Sequence, residues 1–459
     1  MEHISKHLDG QVHMIGIGGS SMNGLASILL EKGYRVSGSD IADSKALDDL
    51  RARGAKVYIG HDAKNIEGAT IVVNTAAVHE DNPEMMAARQ KNLPVIERAI
   101  LLGQIMAQYK IAIGVSGTHG KTTTTSLASA MLELSGVDPT IHIGGRLDLI
   151  DGSTKSGKGD IFITEACEYV ESFLKFSPTI GIILNIDNDH LDYFRDIDHI
   201  QQAFTRYAAL LPEDGTLIVN ADDARCMQVL DTVSCNRVTA SLKDKNADWF
   251  VDNIEFNAAG CGVFDAYYKG EFFSRFALRV PGRHNVLNAL CAIAAVHICG
   301  VDAKAMQAGL SVCHGADRRF DECGEKNGMR IVHDYAHHPS EIRALLDTAA
   351  LQKPGRIVAI FQPHTYSRLI KLFDAFSTAF DVADVTIVTD IYAAREANPG
   401  TIHPQDLVEA LQAHGKEAHY LGSFENIAKY VVENGREGDL ILTIGAGTVE
   451  KLNDMILNF

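Results

Sequence analysis

A glycine-rich turn between an apolar run and a helical stretch most constrains the fold of this 459-residue chain. The run Ile111–Val115 is typical of a buried strand, and the apolar residues after the turn recur at the spacing of one helix face. A strand, a glycine-rich turn and a helix in this order predict a phosphate-binding loop, in which backbone N–H groups and a lysine hold phosphate oxygens. The loop residues assigned to nucleotide binding are Gly117, Thr118, Gly120, Lys121, Thr122 and Thr123.

This loop is shorter than the full phosphate-loop pattern, because Val115 stands where that pattern has its first glycine. The alternative is a glycine turn that only starts a helix. The Lys121-Thr122 pair directly after the second glycine favours phosphate binding, since the lysine can reach the outer phosphates. Thr122 is then a candidate Mg²⁺ ligand.

Composition narrows the class of protein. The length predicts about three domains. A net charge of -17 argues against a general nucleic-acid-binding protein, which needs a broad basic face. Eight cysteines without a C-x-x-C pair predict reduced, mostly buried thiols. The segment Met1–Lys6 lacks a signal-peptide core and no apolar run could span a bilayer, so we expect a cytoplasmic enzyme without a nucleic-acid or membrane partner.

The N-terminal residues predict a dinucleotide-type fold. A short apolar run leads into Gly16-Ile17-Gly18-Gly19-Ser20-Ser21, where Ser21 replaces the third glycine of the usual fingerprint, and Asp40 follows the second strand near the ribose-binding position. Such a turn holds any pyrophosphate, so it does not separate NAD from a UDP-sugar. The candidate substrate residues are Gly16, Gly18, Gly19, Ser20 and Asp40.

A further candidate substrate site follows a later strand of the same region. Short strands alternate with helical stretches here, which predicts a parallel sheet. The turn Asn74-Thr75-Ala76-Ala77 comes at the carboxyl end of one strand, where open α/β sheets bind ligands. Asn74 and Thr75 are therefore candidates, and an uninvolved turn is the alternative.

The middle of the chain places polar residues at two strand ends. Glu165 ends one apolar run, and another leads into Asn185-Ile186-Asp187-Asn188-Asp189-His190. A carboxylate and an imidazole delivered to one crevice suit Mg²⁺, so Glu165 and His190 are candidate ligands. By spacing alone, each could equally be a surface group. Residues 240–280 predict a small antiparallel hairpin layer.

Two amides one helical turn apart, Asn285 and Asn288, open a helix of small residues. Amides at this spacing can contact an adenine edge, and helix capping by Asn285 is the alternative.

The C-terminal third predicts another dinucleotide-type sheet with three polar clusters at its strand ends. These are Asp334–Pro339, Phe361–Arg368 and Asp390–Glu396. Convergence of three such clusters on one sheet edge is hard to explain as core packing. Within them, Arg368 offers a cation that can hold a carboxylate, and Tyr366 and Tyr392 offer aromatic rings in two of the clusters.

Together, the loop, Glu165, the segment Asn185–His190 and the asparagine pair resemble the ATP-dependent Mur ligase family of peptidoglycan synthesis. The resemblance implies that Lys121 binds ATP phosphates, that Glu165 and His190 hold Mg²⁺, and that the asparagines contact adenine. It also places Arg319 on the ATP phosphates and Asp334 in the ATP site. Without the resemblance, a surface salt bridge is the favoured role for Arg319.

The resemblance is to the alanine-adding branch of the family, which lacks a carbamylated lysine found in many relatives. This chain has no lysine between His190 and Lys243, and Gly18-Gly19-x-x-Met22-x-Gly24 also matches that branch. The implied architecture is α/β with three domains. They are a Rossmann-like nucleotide-sugar domain over 1–108, a P-loop ATP domain over 109–322, and a Rossmann-like amino-acid domain over 323–459.

The implied reaction joins L-alanine to UDP-N-acetylmuramate through an acyl phosphate, with ATP and Mg²⁺ as cofactors. Lys121, Glu165, His190 and Arg319 supply charge and alignment, and the position of His337 suggests it as the base for the amine. The expected partners are the two small-molecule substrates, and the expected assembly is a monomer or a homodimer.

Two departures from the family pattern concern the site. Cys167 and Val170 stand where relatives often have aspartates, and Thr365 stands where many have an arginine. Carboxylate binding therefore depends more on Arg368, which weakens the expectation of strict alanine selectivity.

Three alternatives remain. A murein-tripeptide recycling ligase of the same family uses the same nucleotide sugar with a peptide. A nucleotide-dependent oxidoreductase would explain residues 12–40 but leaves Lys121 unused. A non-catalytic nucleotide sensor would not need Glu165 and His190.

Overall fold

The computed structural model describes residues 3–75 and 77–459 and divides the chain into two compact units. Unit 1 comprises Met1–Ile186, Ile200–Trp249 and Ala289–Val312, and unit 2 comprises Asp187–His199, Phe250–Asn288 and Cys313–Phe459. Ala76 of the predicted substrate turn lies outside the described residues. No helix within the described ranges combines the length and apolar character needed to cross a membrane.

The first sheet of unit 1 is parallel throughout, as predicted, in the order β3-β2-β1-β4-β5. Its strands are β1 (Gln11–Ile15), β2 (Arg35–Asp40), β3 (Lys56–Ile59), β4 (Ile71–Asn74) and β5 (Val95–Glu97). Its helices are α1 (Ser20–Glu31), α2 (Lys45–Ala52), α3 (Pro83–Gln90) and α4 (Arg98–Met106), with 3-10 turns at Ile4–His7 and Ala63–Ile66. The strand order reverses between β1 and β4, the point where such sheets bind ligands.

The second sheet of unit 1 carries the phosphate loop and contains the order β8-β7-β9-β6-β10-β11-β12. The strands are β6 (Ile111–Ser116), β7 (Thr140–Leu147), β8 (Gly152–Lys155), β9 (Ile161–Glu165), β10 (Ile180–Ile183), β11 (Thr216–Asn220) and β12 (Asn236–Ser241). The helices are α5 (Lys121–Leu134), α6 (Ile197–Ala208) and α7 (Ala224–Leu230), with 3-10 turns at Asp148–Ile150 and Tyr169–Lys175. Only β7 and β8 pair antiparallel among the pairs described here. Strands such as β6 and β10 are almost wholly buried, as expected where both faces of a parallel sheet are covered.

The next part of the chain contains β13 (Trp249–Phe256), β14 (Cys261–Tyr268), β15 (Glu271–Pro281), α8 (Arg283–Ile298) and α9 (Ala303–Val312). Strands β14 and β15 pair antiparallel, which confirms the predicted hairpin layer. Helix α8 begins at Arg283, so Asn285 and Asn288 lie inside its first two turns.

The C-terminal sheet of unit 2 has the order β16-β17-β21-β18-β19-β20, parallel except for β16 with β17. The strands are β16 (Asp321–Lys326), β17 (Met329–Asp334), β18 (Arg356–Phe361), β19 (Val385–Thr389), β20 (Glu417–Gly422) and β21 (Asp439–Ile444). The helices are α10 (Pro339–Leu351), α11 (Tyr366–Lys371), α12 (Phe373–Ser377), α13 (Pro404–Ala413), α14 (Phe424–Asn434) and α15 (Lys451–Asn458). Separate apolar clusters cover the two faces of this sheet.

All eight cysteines are free, and five of them are buried, which confirms the prediction of reduced, mostly buried thiols.

Candidate active site

The phosphate loop lies where the sequence predicts it, between β6 and α5. Gly117 and Gly120 have φ values of 138° and 86°, in the region that side chains disfavour. A Cβ atom at Gly117 would also lie 2.9 Å from the Cβ atom of Leu184. Glycine is therefore required at Gly117 both by its backbone conformation and by the close approach of the chain after β10.

Asn185 holds this loop in place, a role that the sequence analysis did not assign. Its side-chain oxygen accepts a hydrogen bond from the His119 N–H at 2.8 Å, and its NH₂ group donates to the His119 carbonyl at 3.0 Å. The Thr118 N–H donates to the Asn185 carbonyl at 3.1 Å. An asparagine directly after a buried strand beside the loop is the signal that could have identified it.

Lys121 lies inside the loop and carries its charge there. Its Nζ donates to the Thr118 carbonyl at 2.9 Å and to Glu168 Oε2 at 2.9 Å. Burial alone would lower the pKa of Lys121, but Glu168 together with other nearby groups that include Glu165 outweighs burial and holds that pKa above its usual value. The lysine is therefore a fixed cation at the start of α5.

Glu168 is a second residue that the sequence analysis missed. Its side chain is 1% exposed, and both of its carboxylate oxygens accept from Lys121. A buried acidic residue needs such a partner. The repeated glutamate in Glu165-Ala166-Cys167-Glu168 was the available signal.

The structure brings Thr122 and Glu165 together as predicted. The Thr122 hydroxyl donates to Glu165 Oε2 at 2.9 Å, and the Gly144 N–H of β7 donates to Glu165 Oε1 at 2.7 Å. A carboxylate and a hydroxyl at the N-terminus of α5 are hard oxygen ligands of the kind that Mg²⁺ prefers. These residues fit a magnesium ion bound beside phosphate.

His190 lies in unit 2, directly after Asp189. It has a φ of 51°, and its backbone N–H donates to Asp189 Oδ1 at 2.7 Å. That His190 and Glu165 share one metal ion stays a prediction.

A cavity of about 600 Å³ opens at the switch point of the first sheet. Most of the residues predicted to bind the nucleotide sugar line this cavity, and their contact with that substrate stays a prediction. Lining residues from that prediction are Gly16, Gly18, Gly19, Ser20, Asp40 and Thr75. In the described part of this region, Asn74 ends β4 and does not line the cavity. The lining also includes His61 and Arg98, which no motif indicated.

Asp40 organises the glycine turn of this cavity. Its Oδ2 accepts a hydrogen bond from the Gly18 N–H at 2.8 Å, and its Oδ1 accepts from the Ile41 N–H at 2.8 Å. A Cβ atom at Gly18 would lie 2.8 Å from Asp40 Oδ2. The carboxylate therefore fixes the turn that the sequence assigns to a pyrophosphate.

The two asparagines of α8 form a hydrogen-bonded pair. Asn288 Nδ2 donates to Asn285 Oδ1 at 2.8 Å, and Asn285 Nδ2 donates to the Pro281 carbonyl at 2.7 Å. Both side chains are buried. The structure confirms their juxtaposition, and their contact with adenine stays a prediction.

Arg319 lies beside a buried carboxylate in unit 2. Burial raises the pKa of Asp334, and the nearby Arg319 partly opposes that rise. Asp334 Oδ2 accepts from the Phe320 N–H at 2.8 Å, and the Arg319 guanidinium lies 5.3 Å from the ring centre of Tyr335. Arg319 and Asp334 therefore share one region of unit 2, as the assignment of both to the ATP site requires.

Arg368 makes its hydrogen bonds within unit 2. Its Nη2 and Nε donate to Asp189 Oδ1 at 3.0 and 3.3 Å, and its Nη1 donates to His364 Nδ1 at 3.0 Å. Burial would raise the pKa of Asp189, but Arg368 holds it well below its usual range. The guanidinium assigned to the alanine carboxylate therefore already orders two neighbouring side chains.

Two predicted clusters meet at His364. Its backbone bridges to that of Tyr392, and the two rings stack with their centres 5.6 Å apart. The His337 ring lies 5.7 Å from the His364 ring. Tyr366 is the first residue of α11, whose start the Thr365 hydroxyl caps. The predicted convergence of strand-end clusters on one sheet edge is confirmed.

Hydrogen-bond direction fixes the protons of these two histidines. Because an arginine only donates, His364 Nδ1 accepts, and its ring proton is on Nε2. His337 Nδ1 lies 3.0 Å from the Tyr335 carbonyl, which only accepts, so this nitrogen carries the proton. Burial lowers the pKa of His337, and burial with nearby His337 and Arg368 lowers the pKa of His364 to about 4. The Nε2 atom of His337 is therefore unprotonated and can accept a proton, whereas the Nε2–H of His364 is a hydrogen-bond donor.

Three family models match the chain in order. They are the Mur ligase family, catalytic domain, over residues 11–110; the Mur ligase middle domain, over residues 115–296; and the Mur ligase, glutamate ligase domain, over residues 318–447. The predicted α/β architecture with Mur ligase domains is therefore confirmed.

Full-length relatives give the same result. A UDP-N-acetylmuramate--L-alanine ligase of Caldanaerobacter subterraneus subsp. tengcongensis is 47% identical over 447 residues, which cover 97% of each chain. The solved UDP-N-acetylmuramate-alanine ligase of Thermotoga maritima is 28% identical with a TM-score of 0.79, covering 98% of both chains. A murein peptide ligase of Psychrobacter arcticus is 25% identical with a TM-score of 0.69 over the same coverage. On these matches, the chain belongs to the Mur ligase family.

Proposed function

We propose that this chain joins L-alanine to UDP-N-acetylmuramate and converts ATP to ADP and phosphate. The observation that carries the proposal is the buried, charged Lys121 at the start of α5, beside the hydrogen-bonded Thr122 and Glu165. The names of the 47% identical relative and of the Thermotoga structure support the choice of substrates. An oxidoreductase leaves this phosphate site without a role.

In the first step, a carboxylate oxygen of the nucleotide sugar attacks the terminal phosphorus of ATP, and ADP leaves. Lys121 offsets negative charge on the transferred group, and the loop N–H groups hold it in line. Because Lys121 Nζ already donates to two loop carbonyls and to Glu168, a phosphate that it binds displaces one of these acceptors. Arg319 supplies a second cation.

Thr122, Glu165 and His190 are the proposed Mg²⁺ ligands, and the Thr122–Glu165 contact supports two of them. When bound, the ion would neutralise phosphate charge. Glu168 is an additional carboxylate beside the same loop.

In the second step, the amine of L-alanine attacks the acyl carbon, the C–N bond forms and phosphate leaves. The incoming ammonium must first lose a proton, and His337 Nε2 is the proposed acceptor, because His337 Nδ1 already holds its own proton against a carbonyl. The Nε2–H of His364 is suited to donate to a carboxylate oxygen of the amino acid.

We propose the same three domains as the sequence predicts, with the nucleotide sugar on 1–108, ATP on 109–322 and the amino acid on 323–459. Arg368 binds the amino acid with Tyr366 and Tyr392, and the asparagines of α8 bind adenine together with the Arg319 and Asp334 region. The protein acts in the cytoplasm as a monomer or a homodimer.

Phosphate release tests this function. The purified protein is incubated with ATP, Mg²⁺ and UDP-N-acetylmuramate plus L-alanine, glycine, L-serine or the murein tripeptide. We expect the highest kcat/KM with L-alanine and weaker release with glycine and serine, since a methyl group contributes only about 1–3 kcal/mol of discrimination. A preference for the tripeptide would instead support the recycling ligase.

A further inference from the structure

A partly buried arginine lines the substrate cavity of unit 1. Arg98, the first residue of α4, lines the cavity, and its Nη1 donates to the Ser21 hydroxyl at 2.9 Å. In the ranges that the structure describes, Arg98 forms no ion pair with a carboxylate.

A chain of hydrogen bonds through Ser21, His142 and Thr154 holds Arg98 in place. The Ser21 oxygen accepts from the arginine, so its hydrogen is available to His142 Nε2, 2.9 Å away. His142 Nδ1 lies 2.9 Å from the Thr154 hydroxyl, so the ring joins Ser21 to Thr154. Burial, with a smaller contribution from Arg98, lowers the pKa of His142 to about 4, which keeps the ring neutral.

Gly24 of α1 makes room for this chain. A Cβ atom at Gly24 would lie 2.1 Å from Thr154 Oγ1 and 3.0 Å from His142 Nδ1. The chain also explains why Ser21 replaces the third glycine of the dinucleotide fingerprint, because its hydroxyl joins the arginine to the histidine. Gly24 and Ser21 therefore both serve the hydrogen bonds that hold Arg98, in addition to the packing of α1.

The charge of the cavity indicates what Arg98 binds. A partly buried guanidinium without a carboxylate costs free energy, and an anionic ligand would compensate for it. The other ionisable lining residues are the acidic Asp40 and Asp43 and the titratable His61, so Arg98 is the lining residue that is positively charged at every pH near neutrality. It is bonded to the first turn of α1, directly after the glycine turn that suits a pyrophosphate.

Resting on the proposed function, we propose that Arg98 binds the pyrophosphate of the nucleotide sugar, and that Ser21, His142 and Thr154 position its guanidinium. A neutral variant should then bind nucleotide sugars weakly without losing stability. Charge-assisted hydrogen bonds of this kind correspond to about a tenfold to hundredfold change in affinity.

Calorimetric titration of Arg98→Met tests this assignment. We expect a tenfold to hundredfold loss of affinity for UDP-N-acetylmuramate and for UDP-N-acetylglucosamine, which has the pyrophosphate but no lactyl carboxylate, and unchanged affinity for ATP. The melting temperature of the ligand-free variant should equal or exceed that of the wild type, since an uncompensated cation is removed. An arginine with a purely structural role would lower it.

Arg89→Met is the matched control, because Arg89 is an exposed arginine of the same domain, on α3, paired with Glu80. It should bind both nucleotide sugars normally. Ser21→Ala should lose affinity severalfold, and Ser21→Ala combined with Arg98→Met should lose no more than Arg98→Met alone, since the serine acts through the arginine.

Several results would overturn the inference alone while the wild type binds normally. One is that Arg98→Met keeps its affinity for both nucleotide sugars. Another is that it loses affinity only for UDP-N-acetylmuramate, which would assign the arginine to the lactyl carboxylate. A third is that the losses of affinity caused by the two substitutions add up in the double variant. A wild type that binds neither nucleotide sugar would overturn the proposed function and the inference with it.

Discussion

The Nζ atom of Lys121 lies 2.9 Å from a carboxylate oxygen of Glu168, and the two side chains are 13% and 1% exposed. Burying two charges costs free energy that their close pairing offsets, so removing either one leaves the other less stable. The pair keeps Lys121 charged inside the phosphate loop before any nucleotide binds. The function and the stability of this loop are therefore linked through one contact.

Replacing Lys121 should lower both the turnover and the stability of the protein. Lys121→Ala should reduce turnover by about a hundredfold or more, because a cation facing the transferred phosphoryl group is lost. It should also lower the free energy of unfolding by about 3 kcal/mol, because the buried Glu168 carboxylate loses the cation beside it. Denaturant titration and steady-state phosphate release measure the two effects.

A double variant separates these effects. Lys121→Ala with Glu168→Gln should recover much of the lost stability but none of the turnover. Lys155→Ala, which removes a half-buried lysine paired with Glu133 in the same unit, serves as the control and should keep normal turnover. Normal turnover in Lys121→Ala would remove the loop from the mechanism.

A second prediction concerns the carboxylate beside Thr122. If Glu165 holds Mg²⁺, Glu165→Gln should raise the Mg²⁺ concentration needed for half-maximal activity by tenfold or more, since a neutral amide is a weaker ligand for a hard cation. In this variant the amide oxygen can still accept from the Gly144 N–H, and the Thr122 hydroxyl can turn to accept from the amide NH₂ group, so the fold should be kept. An unchanged Mg²⁺ requirement would show that Glu168 or another group holds the ion.

The sequence predicted the sheets and loops well because their signals are local. At two places, the turn at Gly117 and the turn after β1, the signals for a strand, a glycine turn and a helix follow one another within about twenty residues. The placement of Glu165 followed from a general rule, that parallel strands end at one edge of a sheet, and that of Thr122 followed from the phosphate-loop motif. Polar residues at neighbouring strand ends could therefore be assigned to one site from their positions in the sequence.

Other features could not be predicted because they depend on side chains far apart in sequence. Arg98 and Ser21 are 77 residues apart, and Ser21 and His142 are 121 apart, so no motif joins them. Asp189, which accepts from Arg368, is 179 residues from it. From the sequence, Arg368 was expected to be a free cation, whereas in the fold it donates hydrogen bonds to the Asp189 carboxylate and the His364 imidazole.

A third prediction concerns stability in acid. The pKa of His142 is about 4 in the folded protein against an ordinary value of 6.5. Between these pH values the unfolded chain binds a proton that the folded chain does not, so stability is complete above pH 6.5 and falls as the pH approaches 4. This histidine alone contributes about 2–3 kcal/mol to that loss.

His142→Gln should therefore make the pH dependence shallower. The variant should be less stable than the wild type at pH 7.5, because the hydrogen-bond chain is altered, and the difference should shrink toward pH 4. Exposed His79→Gln is the control and should follow the wild-type curve. Parallel stability curves for the wild type and His142→Gln over this range would contradict the prediction.

The last prediction concerns Arg368, whose guanidinium reaches Asp189 and His364 at once. Arg368→Lys keeps the positive charge but has only one nitrogen, so it cannot donate to both partners in the same geometry. His364 then loses the donor that fixes its Nε2–H toward the amino acid. The KM for L-alanine should rise tenfold or more, while the affinities for ATP and UDP-N-acetylmuramate should stay within about twofold. Arg343→Lys, on the exposed face of α10, is the control and should leave all three constants unchanged. An unchanged KM for L-alanine in Arg368→Lys would contradict the assignment of this cluster to the amino acid.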